Sequence, residues 1–276
     1  MKSGRKRTFA DYAVSVFMAV LALLFLFPFF WLVVTSFKLP DNILNLPPRL
    51  WPNPFTLQNY VSALTTIPFF LFFFNTVRYA LVSTLAILFT SSLAGFVFAK
   101  YKFRGKEFLF ALMITTMMVP FQSYMVPLYL LMLNLGAVDT YWGLQLPYLV
   151  QAMGTFFMRQ NFESFPDDYL EAGRMEGLGE FGLFWRLGLP NVRAALSGLS
   201  IFIFSITWGN LLWPLIITSS QRNFVLELGL ARFQQRFTVL YGEFTAAATL
   251  AVLPVVIFFV VFRRQMMNGI TLSGLK

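Results

Sequence analysis

In a chain that is 58% hydrophobic and 12% charged, one short stretch concentrates ionisable side chains: Pro166-Asp167-Asp168-Tyr169-Leu170-Glu171-Ala172-Gly173-Arg174-Met175-Glu176-Gly177, running on to Leu189-Pro190. Carboxylates and an arginine at this spacing can mark a helix start and form ion pairs. Covalent or metal chemistry needs more. The chain has no histidine and no cysteine, so it lacks the commonest general base, the commonest metal ligand, and any thiol or disulfide. No metal site is expected, an enzyme is disfavoured, and the chemistry on offer is recognition and mechanical contact. A second set of polar residues interrupts apolar runs. Pro120, with Pro127, would bend a helix and free carbonyls beside Gln122; such a bend serves either a lined pathway or packing alone. Trp208 and Asn210 pose a similar choice, between an interfacial anchor and a substrate route.

The elements that carry these residues are membrane-like. Soluble domains are about 25% charged, so a chain with 12% charged residues and 35 Phe keeps much of its surface out of water. A bilayer core needs about 20 mostly apolar residues per helix. Six uncharged runs meet this: Tyr12–Phe37, Tyr79–Ala99, Phe108–Val138, Thr140–Met158, Ala194–Gln221 and Phe244–Phe262. The run Leu50–Val77 is rejected as a span. Its Pro52, Pro54, Pro68 and scattered amides and hydroxyls would be costly in lipid, and Thr56–Leu64 reads better as a short surface helix. With the N-terminus inside, the segments Met1–Asp11, Lys100–Glu107, Arg159–Arg193 and Arg263–Lys276 hold four, four, four and three of the 21 basic residues. That asymmetry matches the positive-inside rule and explains the net charge of +9 without nucleic acid. The basic N-terminus followed by a long apolar run reads as an uncleaved first span, since the run exceeds a signal-peptide core.

The organisation expected is therefore an all-α membrane protein with six transmembrane helices and both termini cytoplasmic. It comprises a basic N-terminus (1–11), a first helix (12–37), an extracytoplasmic loop with a surface helix (38–74), a five-helix core (75–265) containing the inner polar loop (159–193), and a tail (266–276). No Asp, Glu or Lys falls mid-span, which weighs against an ion-coupled transporter.

Within 159–193, Ser164 and Asp167 offer a capping pattern and Pro166 suits a first helical turn. Tyr169–Glu176 reads as a helix with a Glu171–Arg174 surface pair. Gly177 and Gly179 break it, a second helix spans Glu180–Leu187, and Pro190 opens the next span. The bland alternative is an ordered connecting loop.

Glu171-Ala172-Gly173-x-x-Glu176-Gly177 followed by Leu189-Pro190 resembles the "EAA" loop of binding-protein-dependent ABC importer permeases. The usual form is E-A-A-x-x-D-G-A, so Gly173, Glu176 and Leu178 depart from it. Lys102-Phe103-Arg104-Gly105-Lys106, Met118-Val119-Pro120, Phe157-Met158-Arg159, Trp208-x-Asn210 and the tail Asn268–Lys276 are similar to the maltose-type carbohydrate-uptake subfamily. The resemblance implies a type I ABC importer (MetI-like) permease fold in a bacterial or archaeal plasma (inner) membrane. It implies four kinds of partner: a homologous sister permease, two ABC ATPase subunits, an extracytoplasmic solute-binding protein, and the lipid bilayer. Glu171, Ala172, Gly173, Glu176, Gly177 and Pro190 would form the ATPase-coupling element, and Thr271, Ser273 and Gly274 would contact the ATPases from the tail. Pro120, Gln122, Trp208 and Asn210 are the candidate pathway residues. The chain has no G-x-x-x-x-G-K-[ST] phosphate loop; it would bind no cofactor itself, with ATP-Mg held on partner subunits. The solute implied is an oligosaccharide, disaccharide or glycerol phosphate. The alternatives are a non-sugar solute or an ion-coupled secondary transporter, which would need internal repeats.

Overall fold

The computed structural model describes residues 9–234 and 240–273. Every regular element among them is helical, and Lys38 and Phe55 form an isolated antiparallel bridge. The chain divides into two compact units, Met1–Phe69 with Leu230–Ala251, and Phe70–Gly229 with Val252–Lys276.

In the first unit, helix α1 (Phe9–Ser36) is an apolar run with Asp11 in its first turn, where a carboxylate favours the helix dipole. No residue of the most apolar window of α1 is fully buried within the chain. Its last carbonyls would be orphaned, but a side chain from α2 (Gln58–Thr66) answers them. The Asn59 amide donates to Ser36 O at 2.9 Å and Lys38 O at 2.7 Å. Phe37 stacks on Phe55 at 4.8 Å, and the buried Lys38 ammonium lies 3.9 Å from the Trp31 ring centroid.

The second unit is built on α3 (Phe69–Lys100). At about 1.5 Å per residue this helix exceeds a hydrocarbon core of about 30 Å. It starts ten residues before the expected Tyr79 because Asn75 has partners, its amide reaching Arg222 O at 2.8 Å and Phe224 O at 2.9 Å. Near its other end, α3 crosses α7 (Ala152–Glu163) at small residues. A Cβ on Gly154 would lie 2.3 Å from Ser91 Oγ, and one on Gly95 would lie 2.7 Å from Met158 Cβ. Glycine is what permits so close an approach.

The six expected spans are not six uninterrupted helices. Among the described residues three helices are long and apolar enough to cross a bilayer, Asp11–Ser36, Phe69–Lys100 and Tyr241–Arg263, or five if each of two bent pairs is one span. The third run breaks into α4 (Lys106–Thr116) and α5 (Phe121–Asn134), bent by 97°. Pro120, in extended conformation, has no N–H to continue the ladder. The fourth run divides into α6 (Tyr141–Gln145), a tight turn over Leu146–Tyr148 containing Pro147, and α7. The fifth run, Ala194–Gln221, begins in α10 (Arg193–Trp208), which meets α9 (Glu180–Asn191), from the expected inner loop, at a bend of 79°. The short helices α11 (Leu212–Ile217) and α12 (Leu226–Ala231) follow. Helix α13 (Tyr241–Ser273) carries the last span, so the backbone of the expected tail continues as helix through Ser273.

At the Asn75 end of this unit, Asp139 organises the loops. Its φ of 55° is left-handed. Its Oδ1 accepts from the amides of Ser219 and Ser220, each at 3.0 Å, from Ser220 Oγ at 3.1 Å and from Asn223 Nδ2 at 3.2 Å. Partial burial pushes the carboxyl upward, but these bonds outweigh it and hold the pKa at about 2 against an ordinary 3.8. A depressed folded-state pKa stabilises above the unfolded value and is lost as pH falls through the folded one. Asp139→Asn should therefore lower the melting midpoint of the detergent-solubilised protein at neutral pH. The difference from wild type should close as pH falls from about 4 to about 2.

Candidate functional site

The polar stretch is a helix, a glycine turn and a second helix, held at the end of α3. Helix α8 spans Asp168–Met175; at eight residues it is too short to persist alone. It buries Leu170 and Gly173. Gly173 stands where alanine is usual in the resembling loop. A Cβ there would come within 2.6 Å of Leu183 Cδ2 and 2.7 Å of Leu187 Cδ1, so glycine lets α8 sit close on α9. The turn is made by Gly177 at φ 82° with open space around it, a conformation only glycine adopts freely. Gly179, also expected to break the chain, is in ordinary extended geometry (φ −71°, ψ 166°). Leu183–Gly188 of α9 is π-helical. Pro190 follows within the last turn of α9, and Pro190 cannot donate to the Arg186 carbonyl.

Three side chains of the α3 terminus grip this element. Phe96, 2% exposed, meets the rings of Phe162 at 5.2 Å and Phe184 at 5.5 Å. Around it a core of Met158, Phe162, Leu170, Leu183, Phe184 and Val192 ties α7, α8 and α9 to the span. The Lys100 side chain, 4% exposed, pairs with Asp167 at 2.7 Å and donates to the Phe165 carbonyl. Tyr101 Oη donates to Glu180 Oε2. Burial, then this bond to Glu180, raises the Tyr101 pKa to about 12. The Glu180 carboxyl is lowered, first by Arg174 and then by Tyr101.

Two local expectations are corrected by this arrangement. Arg174 pairs with Glu180 at 3.2 Å and not with Glu171, because the Gly177 turn folds α9 back beside it. Ser164 and Asp167 form no cap: Ser164 Oγ donates back to Asn161 O at 2.8 Å, and the Asp167 carboxylate is taken by Lys100.

Glu171, Ala172 and Glu176 are exposed, as are Asp168 and Tyr169, and Met175 is 89% exposed. Among the described residues, neither Glu171 nor Glu176 enters an ion pair. The outer face of α8 thus presents acidic groups with small and apolar contacts on a rigid base. Thr271 and Ser273 lie in the last turns of α13; their side chains, and Gly274 entirely, are outside the described residues.

The pathway candidates separate. Trp208 is 4% exposed, packed against Phe73 at 5.8 Å and Phe204 at 5.5 Å. Asn210 donates to the Tyr79 hydroxyl at 3.1 Å, and Tyr79 meets Tyr148 edge-on at 5.7 Å. Pro120 and the exposed Gln122 flank a cleft of about 620 Å³ without lining it; Thr116, Val119, Tyr124, Tyr148 and Gln151 do line it. Sequence reasoning missed these residues, and Lys100, Tyr101 and Glu180 as clamps. Pro147 and Pro120 were the available signals for the cleft.

Comparisons with known proteins agree with this architecture. A family model described as binding-protein-dependent transport system inner membrane component matches residues 91–267. The chain is 34% identical to the arabinooligosaccharides transport system permease protein AraQ of Bacillus subtilis (strain 168), over 96% of this chain and 95% of that protein. It is 28% identical to the lactose transport system permease protein LacG of Rhizobium radiobacter, over 98% of each. A solved bacterial ABC transporter involved in import of the acidic polysaccharide alginate superposes with a TM-score of 0.80 at 20% identity, covering 94% of this chain and 99% of that one. The fold is that of ABC importer permeases.

Gly177→Val forces a β-branched residue to φ 82°, at a cost of about 1–2 kcal/mol. Limited trypsinolysis of the solubilised protein should then cut faster at Arg174 and Arg186, with cleavage at Lys100 unchanged.

Proposed function

The chain belongs to the family of binding-protein-dependent transport system inner membrane components, and from that premise we propose that it is the permease subunit of an ATP-driven carbohydrate importer. It forms the transmembrane pathway together with a homologous sister permease. Two ABC ATPase subunits bind on the cytoplasmic side, and an extracytoplasmic solute-binding protein delivers an oligosaccharide, disaccharide or glycerol phosphate. ATP-Mg is bound and hydrolysed on the partners. The chain is a multi-pass protein of a bacterial or archaeal inner membrane, with the basic segments inside.

The observation that carries this reading is the exposed α8 face on a clamped base. Transport is coupled only if ATP and loaded binding protein favour different pore states. ATPase closure moves a cytoplasmic body; a lever must pass that displacement to the spans without yielding. Helix α8 supplies the contact face through Glu171, Ala172 and Met175. Lys100–Asp167 and Tyr101–Glu180 join it to the end of α3, and Phe96 stiffens the joint. Pro190 and the 79° bend lead the motion into α10. The Thr271, Ser273 and Gly274 segment supplies a second contact to the ATPases. The carbohydrate assignment is supported by relatives named for arabinooligosaccharides and lactose.

Glu171→Lys should reduce ATP-dependent sugar uptake at least tenfold in proteoliposomes holding the complete importer, because reversing a charge at a docked interface costs about 2 kcal/mol or more. The melting midpoint of the permease should not change, since Glu171 is exposed. Wild-type uptake by the variant would refute the docking role.

A further inference from the structure

The basic turn Lys102-Phe103-Arg104-Gly105-Lys106 follows directly on the end of α3 and leads into α4. Lys102 and Arg104 are exposed and Lys106 is half-buried. Among the described residues none of the three enters an ion pair. The carboxylate beside them in sequence, Glu107, is taken by Arg159 at 3.2 Å.

Next to this turn lies a groove of about 460 Å³ between α3 and α9. Leu93, Phe96 and Val97 of α3 face Phe181 and Phe184 of α9 across it, and Lys102 is part of its lining. Tyr101 and Glu180 line it too. They bond to each other, and Glu180 also pairs with Arg174 at 3.2 Å. That carboxylate is therefore answered, and Lys102 is the charge left over. The groove is continuous with an apolar stripe on α3. Phe89, Leu93 and Val97 are 48%, 36% and 37% exposed and recur at four-residue steps, which puts them on one helix face. From Phe89 to Val97 the stripe runs about 12 Å, close to the depth of one leaflet in a hydrocarbon core of about 30 Å. At the groove's edge the exposed Phe181 stacks on the exposed Trp185 at 6.1 Å, and aromatic rings of this kind gather where membrane meets water.

We propose that this groove is a site for one anionic phospholipid. Its acyl chain lies along Phe89, Leu93 and Val97, and its phosphate meets Lys102, with Arg104 and Lys106 adding to the local positive field. A zwitterionic lipid would bring its own cation toward Lys102. A water-soluble partner is disfavoured, because Leu93 and Val97 belong to a helix of spanning length and reaching them means entering the bilayer. Since Tyr101 and Glu180 share the wall, the bound lipid packs against the joint that fixes α8 on α3. The inference requires that the chain spans a membrane and is independent of what it transports.

The chain has no cysteine, so a single label reports one position. A bimane fluorophore is placed at Phe181→Cys, and separately at Phe108→Cys, in the complete importer in phosphatidylcholine vesicles. Brominated phosphatidylglycerol or brominated phosphatidylcholine is then included at equal mole fraction. At position 181 the quenching constant should favour the anionic lipid about fivefold. Lys102→Gln should abolish that preference, and so should about 1 M salt, where the screening length is about 3 Å. Phe108 is 71% exposed and two residues past Lys106, but it does not line the groove, so quenching there should not distinguish the lipids. Equal quenching by both lipids at position 181 means ordinary annular contact. The same preference at position 108 means a diffuse basic surface. No quenching by either lipid at position 181 means that a partner protein fills the groove. Each of these results overturns the site, and the comparison of positions 181 and 108 decides it even if Lys102→Gln fails to fold.

Discussion

The structure turns on how the end of α3 holds a short polar helix that could not hold itself. Helix α8 has eight residues, well below the length at which a helix is stable in water. Its orientation comes from Phe96 buried against Phe162 and Phe184, and from Lys100 and Tyr101 reaching Asp167 and Glu180. The buried rings set the stiffness of this joint. The polar bonds set its angle, because each fixes a partner on a different piece: Asp167 before α8, Glu180 after the Gly177 turn. The exposed partners contribute little stability by themselves. Lys100 differs, because its side chain is almost wholly buried and would be left uncompensated without Asp167 and the Phe165 carbonyl.

The second constraint is the backbone's need for hydrogen bonds in lipid. It explains why long, unbroken α3 can serve as the frame while the neighbouring runs bend. Where Pro120, Pro147 and Pro190 interrupt the ladder, freed groups need protein or water. In the larger unit the breaks near Pro120 and Pro147 share one cleft, whereas the break near Pro190 is absorbed into the joint under α8. The same physical event thus opens a cleft in one place and shapes a helix joint in the other.

Much of this was readable from residues. The charge deficit and apolar runs declare a membrane protein. Within Leu50–Val77, α2 takes Gln58–Thr66 as a short helix, while the run's last residues join the long helix α3 from Phe69. The turn at Gly177 was identifiable because only glycine is free at positive φ. The misreadings share a cause. The Glu171–Arg174 pair and the Ser164–Asp167 cap are sound local rules, and each lost to a partner outside its own helix: Glu180 beyond the turn, and Lys100 some 67 positions away. Trp208 looked interfacial by type, yet Phe73 and Phe204 enclose it.

What the sequence determined alone was the set of possible chemistries and which runs are apolar enough for a membrane. Both follow from residue type, through transfer free energies and the absence of histidine and cysteine, and neither requires knowing who touches whom. Tertiary structure alone decided which carboxylate each cation takes, which of the prolines frame a cleft, and which face of α8 stays exposed. Those depend on where separate helices cross, here at the close Ser91–Gly154 and Gly95–Met158 contacts. A crossing is fixed by the summed packing of many side chains and not by any local pattern.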